Sequence, residues 1–294
     1  MVSRRSVLRT ISLLPAAAAA TSLAGCTRSG DDPTPRGSRR SSFASDGVRI
    51  EVSPAGIRIE NQPGVSETIR TQVPALVDAA MSRVRSVWAA PVAAAGGSLT
   101  TPRSVQVSAT HDQFVALGGG SAQAVAATTR ADGTIVLAPD LWTGTTREGR
   151  IVVIAHELTH VVLHSQTSAS ARWLVEGPPE WTAYHDTSLS LPVIAPQPAA
   201  AVRAGHPASG PPADAAFTDG PLQAAYQSAF VWCTFLVQHS TAARFTAFVI
   251  DATSQPTAQL ATIFEAHYGS SIAALSDAYQ QFQRTTFGVV RPSA

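Results

Sequence analysis

Residues 151–164, reading IVVIAHELTHVVLH, decide how the rest of the chain is read. The residues around the motif are almost all apolar, and the stretch reads as a helix. Into that helix the sequence sets His156, Glu157 and His160 in H-E-x-x-H spacing. Residues four apart share a helix face, one turn above each other. Two imidazoles so placed can hold one zinc ion, and Glu157 between them can polarise a water on that ion. The competing reading is a chance pentapeptide with ordinary core or surface histidines. Unpaired imidazoles and a carboxylate are costly in so apolar a helix, and a metal accounts for all three residues together.

A hydrolytic zinc site takes three protein ligands and keeps one open position, so a third ligand has to be found. His164 continues the four-residue series, but its Cα lies ~12 Å along the axis from that of His156. One ion cannot reach both, which leaves His164 a place behind the metal ligands, a structural role, or a position near the helix end, where a cation is tolerated. A third histidine six residues after the second, with a glycine midway, is excluded because Gln166 and Leu163 stand there. The better candidate is Glu176 in the run Trp173-Leu174-Val175-Glu176-Gly177-Pro178-Pro179-Glu180-Trp181.

With these two segments the chain resembles the gluzincin zinc metallopeptidases, the thermolysin and aminopeptidase clan, and within it the peptidase MA-like branch. In that family an H-E-x-x-H helix is followed by a second helix carrying W-L-x-E-G-x-A-E and an aromatic residue, whose first Glu binds zinc. The resemblance spans roughly residues 104–288, and its specific motifs are confined to His156–His160 and Trp173–Trp181. It implies an α+β fold of the thermolysin or peptidase MA-like kind: a small N-terminal sheet with the motif helix, then a helical lobe. It also implies His156, His160 and Glu176 as ligands of a single Zn2+. The sequence departs from the family at Pro178-Pro179, where a large residue and Ala are usual. Proline is tolerated in a first helical turn, so the helix still forms but its start is expected to shift.

The chemistry that follows is peptide hydrolysis by a zinc-activated water, with Glu157 as general base passing the proton to the leaving amine. The oxyanion needs a further donor. Tyr226 resembles the family's tyrosine at that place, and the alternative is an aromatic core residue; His185, His206 and His239 rank behind it. Glu180, one turn after Glu176, either accepts the outer N–H of a zinc-bound imidazole or is a solvent-facing helix charge. The chain lacks a G-x-M-E-N segment of the kind that captures a free amino terminus in the clan's aminopeptidases, which favours an endopeptidase. The alternative is a weak or inactive zinc-binding lipoprotein serving as a binding or scaffold module. Loss of the base would mark that reading, and Glu157 is present.

The N-terminus bears on location. Ser3-Arg4-Arg5-Ser6-Val7-Leu8-Arg9 resembles a twin-arginine export signal, and Leu23-Ala24-Gly25-Cys26 resembles a lipobox whose Cys26 is acylated. Residues 1–26 are thus read as a leader, and 27–45, rich in Ser, Arg, Pro, Gly and Asp, as a flexible tether. A membrane-spanning anchor is the competing reading; Pro15 and the run of five alanines make a poor span. These features predict a lipid-anchored protein on the extracytoplasmic face of the cell membrane, acting on peptide or protein substrates.

All 21 basic residues are arginine, against 20 acidic ones, and this near balance leaves no nucleic-acid footprint. Removing residues 1–25 takes away three arginines and no acid, moving the formal charge from +1 to −2. With Cys26 acylated, Cys233 is left without a disulfide partner and reads as a buried structural thiol.

The remaining segments organise around the motif. Residues 46–185 read as an α+β zinc-binding lobe: a hairpin over 48–59, a helix over 68–88 starting or bending near Pro74, a strand over 104–109 and a short helix over 111–117. A hairpin over 122–138 follows, turning at Asp132-Gly133. It is expected to offer an edge strand to an extended peptide, as the family does. Residues 186–221, rich in Pro, Ala and Gly, read as an irregular connection. A helical lobe over 222–288 completes the chain.

Overall fold

The Asp132-Gly133 turn closes a hairpin as its composition dictates, with Gly133 at φ 78° and Asp132 Oδ1 accepting from Thr134 N at 3.1 Å. The computed structural model describes residues 47–120, 125–219, 221–255 and 257–288; the leader with Cys26 and the tether over 27–45 lie outside them. In chain order the first elements are β1 (Arg49–Val52), β2 (Arg58–Asn61), α1 (Glu67–Ala94), β3 (Val105–Val107), α2 (His111–Ala116), β4 (Ala127–Thr129) and β5 (Ile135–Leu137). Then come α3 (Arg147–Leu163), α4 (Arg172–Ala183), α5 (Leu191–Ile194), α6 (Pro196–Arg203), α7 (Leu222–His239), α8 (Ala242–Ser254), α9 (Leu260–Tyr268) and α10 (Ser276–Phe287). The chain is mixed α+β, a small sheet followed by a largely helical body.

The five strands run in the order β1-β2-β3-β5-β4, with the two outer pairs antiparallel and the two inner pairs parallel. Alternation along the strands gives the sheet two faces. Ile59, Val105 and Ile135, aligned across β2, β3 and β5, are fully buried and join the core that includes α1 and α3. On the other face Val136 packs with Phe114 of α2, Val125 and Ala138. β4 and β1 form the two rims, and β1 leaves Ile50 and Val52 exposed, as is Val48 just before it.

Helix α1 overrides both of its prolines. It starts at Ser66, whose hydroxyl accepts from Ile69 N, and runs past Pro74 and Pro91 to Ala94. The buried stripe of Val73, Leu76, Val77, Ala80, Met81, Val84 and Trp88 holds it together where Pro74 removes a backbone bond. Arg83 then ties three elements, donating to Ala183 O at the end of α4 (2.8 Å) and to Glu148 at the start of α3 (2.6 Å).

The segment 186–221 corrects the expectation of an irregular connection, for it carries α5, α6 and a 3₁₀ turn over Asp214–Phe217. Pro196 and Pro198 fall in the first turn of α6, where a missing N–H leaves no gap in the ladder, and Ala199 and Val202 are buried. A single apolar cluster runs from Ile59 on β2 to Phe287 on α10, so the sheet and the helical body share a core. Its helical part is aromatic: Trp173 stacks on Phe248 at 6.2 Å, and Trp232 meets Tyr279 edge-on at 4.7 Å. Among the described residues no helix is long and apolar enough to cross a membrane.

Candidate metal centre

Helix α3 begins with its own cap, Thr146, whose hydroxyl accepts from Gly149 N at 3.1 Å. From Ile151 to Leu163 every side chain is buried, as a helix apolar on all sides requires. His164 ends it in the left-handed conformation, φ 50°, and its Nε2 lies 3.2 Å from Thr100 Oγ1. The reversal at His164 sets Ser165 beneath the preceding turn, with Oγ 2.8 Å from His160 Nδ1. An Nδ1–H donating to that oxygen leaves the lone pair of His160 on Nε2, the tautomer that binds metals.

Helix α4 is assembled differently. Its N-cap residue, Ala171, has no side chain to offer, and Asp214, from the 3₁₀ turn before α7, caps it instead by accepting from Arg172 N at 2.8 Å. This borrowed cap starts the helix at Arg172, so Pro178 and Pro179 lie in its interior and not in a first turn. Gly177 has a clear purpose. A Cβ there would sit 2.6 Å from Cys233 Sγ and 3.1 Å from Ala229 O, so only glycine lets α4 approach α7 this closely. Cys233 is a free, buried thiol whose pKa burial pushes well above its ordinary value.

Where the two helices meet, three donor atoms converge. His156 Nε2 and His160 Nε2 are 3.0 Å apart, and Glu176 Oε2 lies 3.6 Å and 3.3 Å from them. His156, His160 and Glu176 are all buried and form a group able to hold a metal ion. The second oxygen of Glu176, Oε1, accepts from Arg172 Nη2 at 2.7 Å. Burial alone would raise the Glu176 carboxyl, but His160, His156 and Arg172 outweigh it and hold the group well below the usual carboxylate range. His156 is displaced upward: burial opposes its charge, and Glu176, Glu180 and Glu157 overcome that.

The remaining predicted residues gather around this group. Glu157 is buried, and its Oε2 accepts from Thr129 Oγ1 of β4 at 2.6 Å. Glu180 is buried too, which removes the solvent-facing reading. It makes no hydrogen bond to a ring nitrogen of His156: Glu180 Oε2 and His156 Nδ1 both lack a partner. Burial, with Glu176 and Glu157 nearby and His156 opposing, pushes the Glu180 carboxyl up to about 7. The Tyr226 ring is centred 6.1 Å from that of His156 and meets Phe217 edge-on at 5.7 Å. Burial and the surrounding carboxylates raise its phenol well above the ordinary value, so it stays a proton donor. His185 packs on Trp181 and His239 on Phe235, while His206 is exposed, so none joins the cluster.

The group suits a cation. Glu157 and Glu176 are buried beside Glu180, whose carboxyl is raised to about 7, and Arg172 pairs with Glu176. Buried charge left uncompensated is strongly unfavourable, and a divalent ion between the imidazoles and Glu176 would offset it. Sequence reasoning overlooked Thr129, Ser165, Arg172 and Asp214. Arg172 had a legible signal, the four-residue spacing to Glu176; the others are joined to the site by tertiary contacts or by the left-handed turn at His164. No protein-family model matches this chain, and no curated protein matches it in sequence.

Proposed function

We propose that this chain is a zinc-dependent endopeptidase of the gluzincin type, with a thermolysin- or peptidase MA-like catalytic domain. In this reading a lipidated Cys26 holds it on the extracytoplasmic face of the cell membrane, where it hydrolyses peptide or protein substrates. The observation that carries the proposal is the triangle of Nε2, Nε2 and Oε2, with edges of 3.0, 3.3 and 3.6 Å. Ligand bonds of ~2.0–2.1 Å in a tetrahedron put neighbouring donor atoms about 3.3 Å apart. Two imidazoles and one carboxylate suit zinc, whereas calcium and magnesium take oxygen ligands.

The residues divide the work. His156, His160 and Glu176 would hold the ion, and Arg172 keeps Glu176 ionised by occupying its other oxygen. When bound, zinc supplies Lewis-acid chemistry, making water a nucleophile near neutral pH and drawing charge from a carbonyl. Glu157 accepts the proton of the attacking water and delivers it to the leaving amine. Tyr226 keeps its phenolic proton and would donate a hydrogen bond to the developing oxyanion. Glu180 is a reserve acceptor for the outer nitrogen of His156, whose Nδ1 has no other partner. β4 lies at the rim of the sheet with its three residues buried, so an extended peptide would pair there only once that rim is uncovered.

The test is metal analysis of protein comprising residues 27–294, with casein or a peptide library as substrate. The wild type should carry one zinc and cleave. Glu157→Gln should keep its zinc and lose roughly 10²–10⁴-fold in kcat. Equal activity in the two proteins would remove the general base.

A further inference from the structure

We propose that Thr129 positions Glu157: its hydroxyl pins one carboxylate oxygen to the sheet so that the other is presented for proton transfer. The inference rests on the hydrolase reading above and names a residue that reading does not require. Thr129 is fully buried, and its Oγ1 lies 2.6 Å from Glu157 Oε2 and 3.1 Å from the Glu157 backbone oxygen. A hydroxyl has one hydrogen to give. The backbone oxygen lies within α3, where the helix ladder already supplies a donor. The carboxylate contact is shorter and charge-assisted, so the hydrogen goes there.

The anchor for this hydrogen bond lies outside the helix that carries the base. Thr129 sits opposite Ile135 in the β4–β5 pairing, and the next residue closes the hairpin, Arg130 N donating to Thr134 O at 2.8 Å. A glutamate side chain has three rotatable bonds and loses considerable freedom when fixed. The hydrogen bond from a rigid hairpin makes the two carboxylate oxygens inequivalent before any substrate arrives. It also joins the base to the rim strand, so that base and strand hold one fixed relation.

Thr129→Val keeps the branched shape and strand preference and deletes only the donor; Thr129→Ser restores a hydroxyl. Both should be made in the full, zinc-loaded chain and assayed on a peptide that the wild type cleaves. Zinc content and melting temperature should be measured alongside. Thr129→Val should lose roughly 10–100-fold in kcat with KM and zinc content unchanged, and Thr129→Ser should recover most of the loss. The melting shifts of Thr129→Val and Glu157→Ala, which removes the acceptor, should be non-additive in the double variant. Wild-type kcat in Thr129→Val, a loss that follows zinc content, or additive melting shifts would each overturn the proposal. An inactive zinc-loaded wild type would instead sink the hydrolase reading, and the melting cycle would still decide the Thr129–Glu157 pairing.

Discussion

Helices α3 and α4 bring their side chains to the same point by opposite means. α3 is self-sufficient: it has its own cap in Thr146, an unbroken apolar sequence and a left-handed terminus at His164. α4 has no cap of its own, two interior prolines and a glycine pressed against α7. What places His156 and His160 is written within the continuous stretch from Thr146 to Ser165. What places Glu176 is spread over Asp214, Arg172, Gly177 and Cys233. The imidazole pair is thus a local structure, while the placing of the Glu176 carboxylate is a tertiary one.

The comparison can be broken most severely at the third ligand. Glu176→Ala leaves Arg172 without its carboxylate and the imidazoles two ligands short of a closed sphere. We expect metal stoichiometry to fall from one to near zero on dialysis, while circular dichroism shows α3 intact. Retention of a full equivalent of metal would mean that Glu176 is not a ligand.

A smaller effect is expected from Gly177→Ala. Glycine to alanine in a helix is ordinarily stabilising by ~1 kcal/mol, but here the new Cβ meets Cys233 Sγ at 2.6 Å. Overpacking of this kind should turn the sign and destabilise by about 1–3 kcal/mol in denaturant unfolding. Adding Cys233→Ala should recover part of that loss, and failure to recover any would place the strain at Ala229 O instead.

The finest comparison sets the two caps against each other. Thr146→Ala and Asp214→Ala should each cost ~1 kcal/mol of stability. Only Asp214→Ala should also weaken metal binding, because it loosens the turn that holds Arg172 and Glu176. Equal metal affinity in the two variants, by competition with a chelator, would show that α4 does not depend on its borrowed cap.

The same contrast explains what could be read from the sequence. The limits of α7 follow from helical spacing, and the β4–β5 hairpin from Asp132-Gly133, because both signals are local. The hidden parts depend on partners far along the chain. Pro74 reads as a start or bend of α1, yet burial of Val73, Val77 and Trp88 carries the helix through. Pro196 and Pro198 suggest irregular chain, although a first helical turn accommodates both. At the site, the three donors and Glu157 are named by two short motifs, but Thr129 reaches Glu157 from 28 positions away and no spacing rule points to it.

The apolar cluster that joins β2 to α10 has a thermodynamic consequence. With no boundary along which sheet and helical body could part, the molecule should melt in one step rather than two. Whatever ion occupies the convergence of α3 and α4 is then coupled to that single equilibrium, since binding only the folded form stabilises all of it. A chelator should therefore lower the midpoint for the far helices, α9 and α10, as much as for the strands.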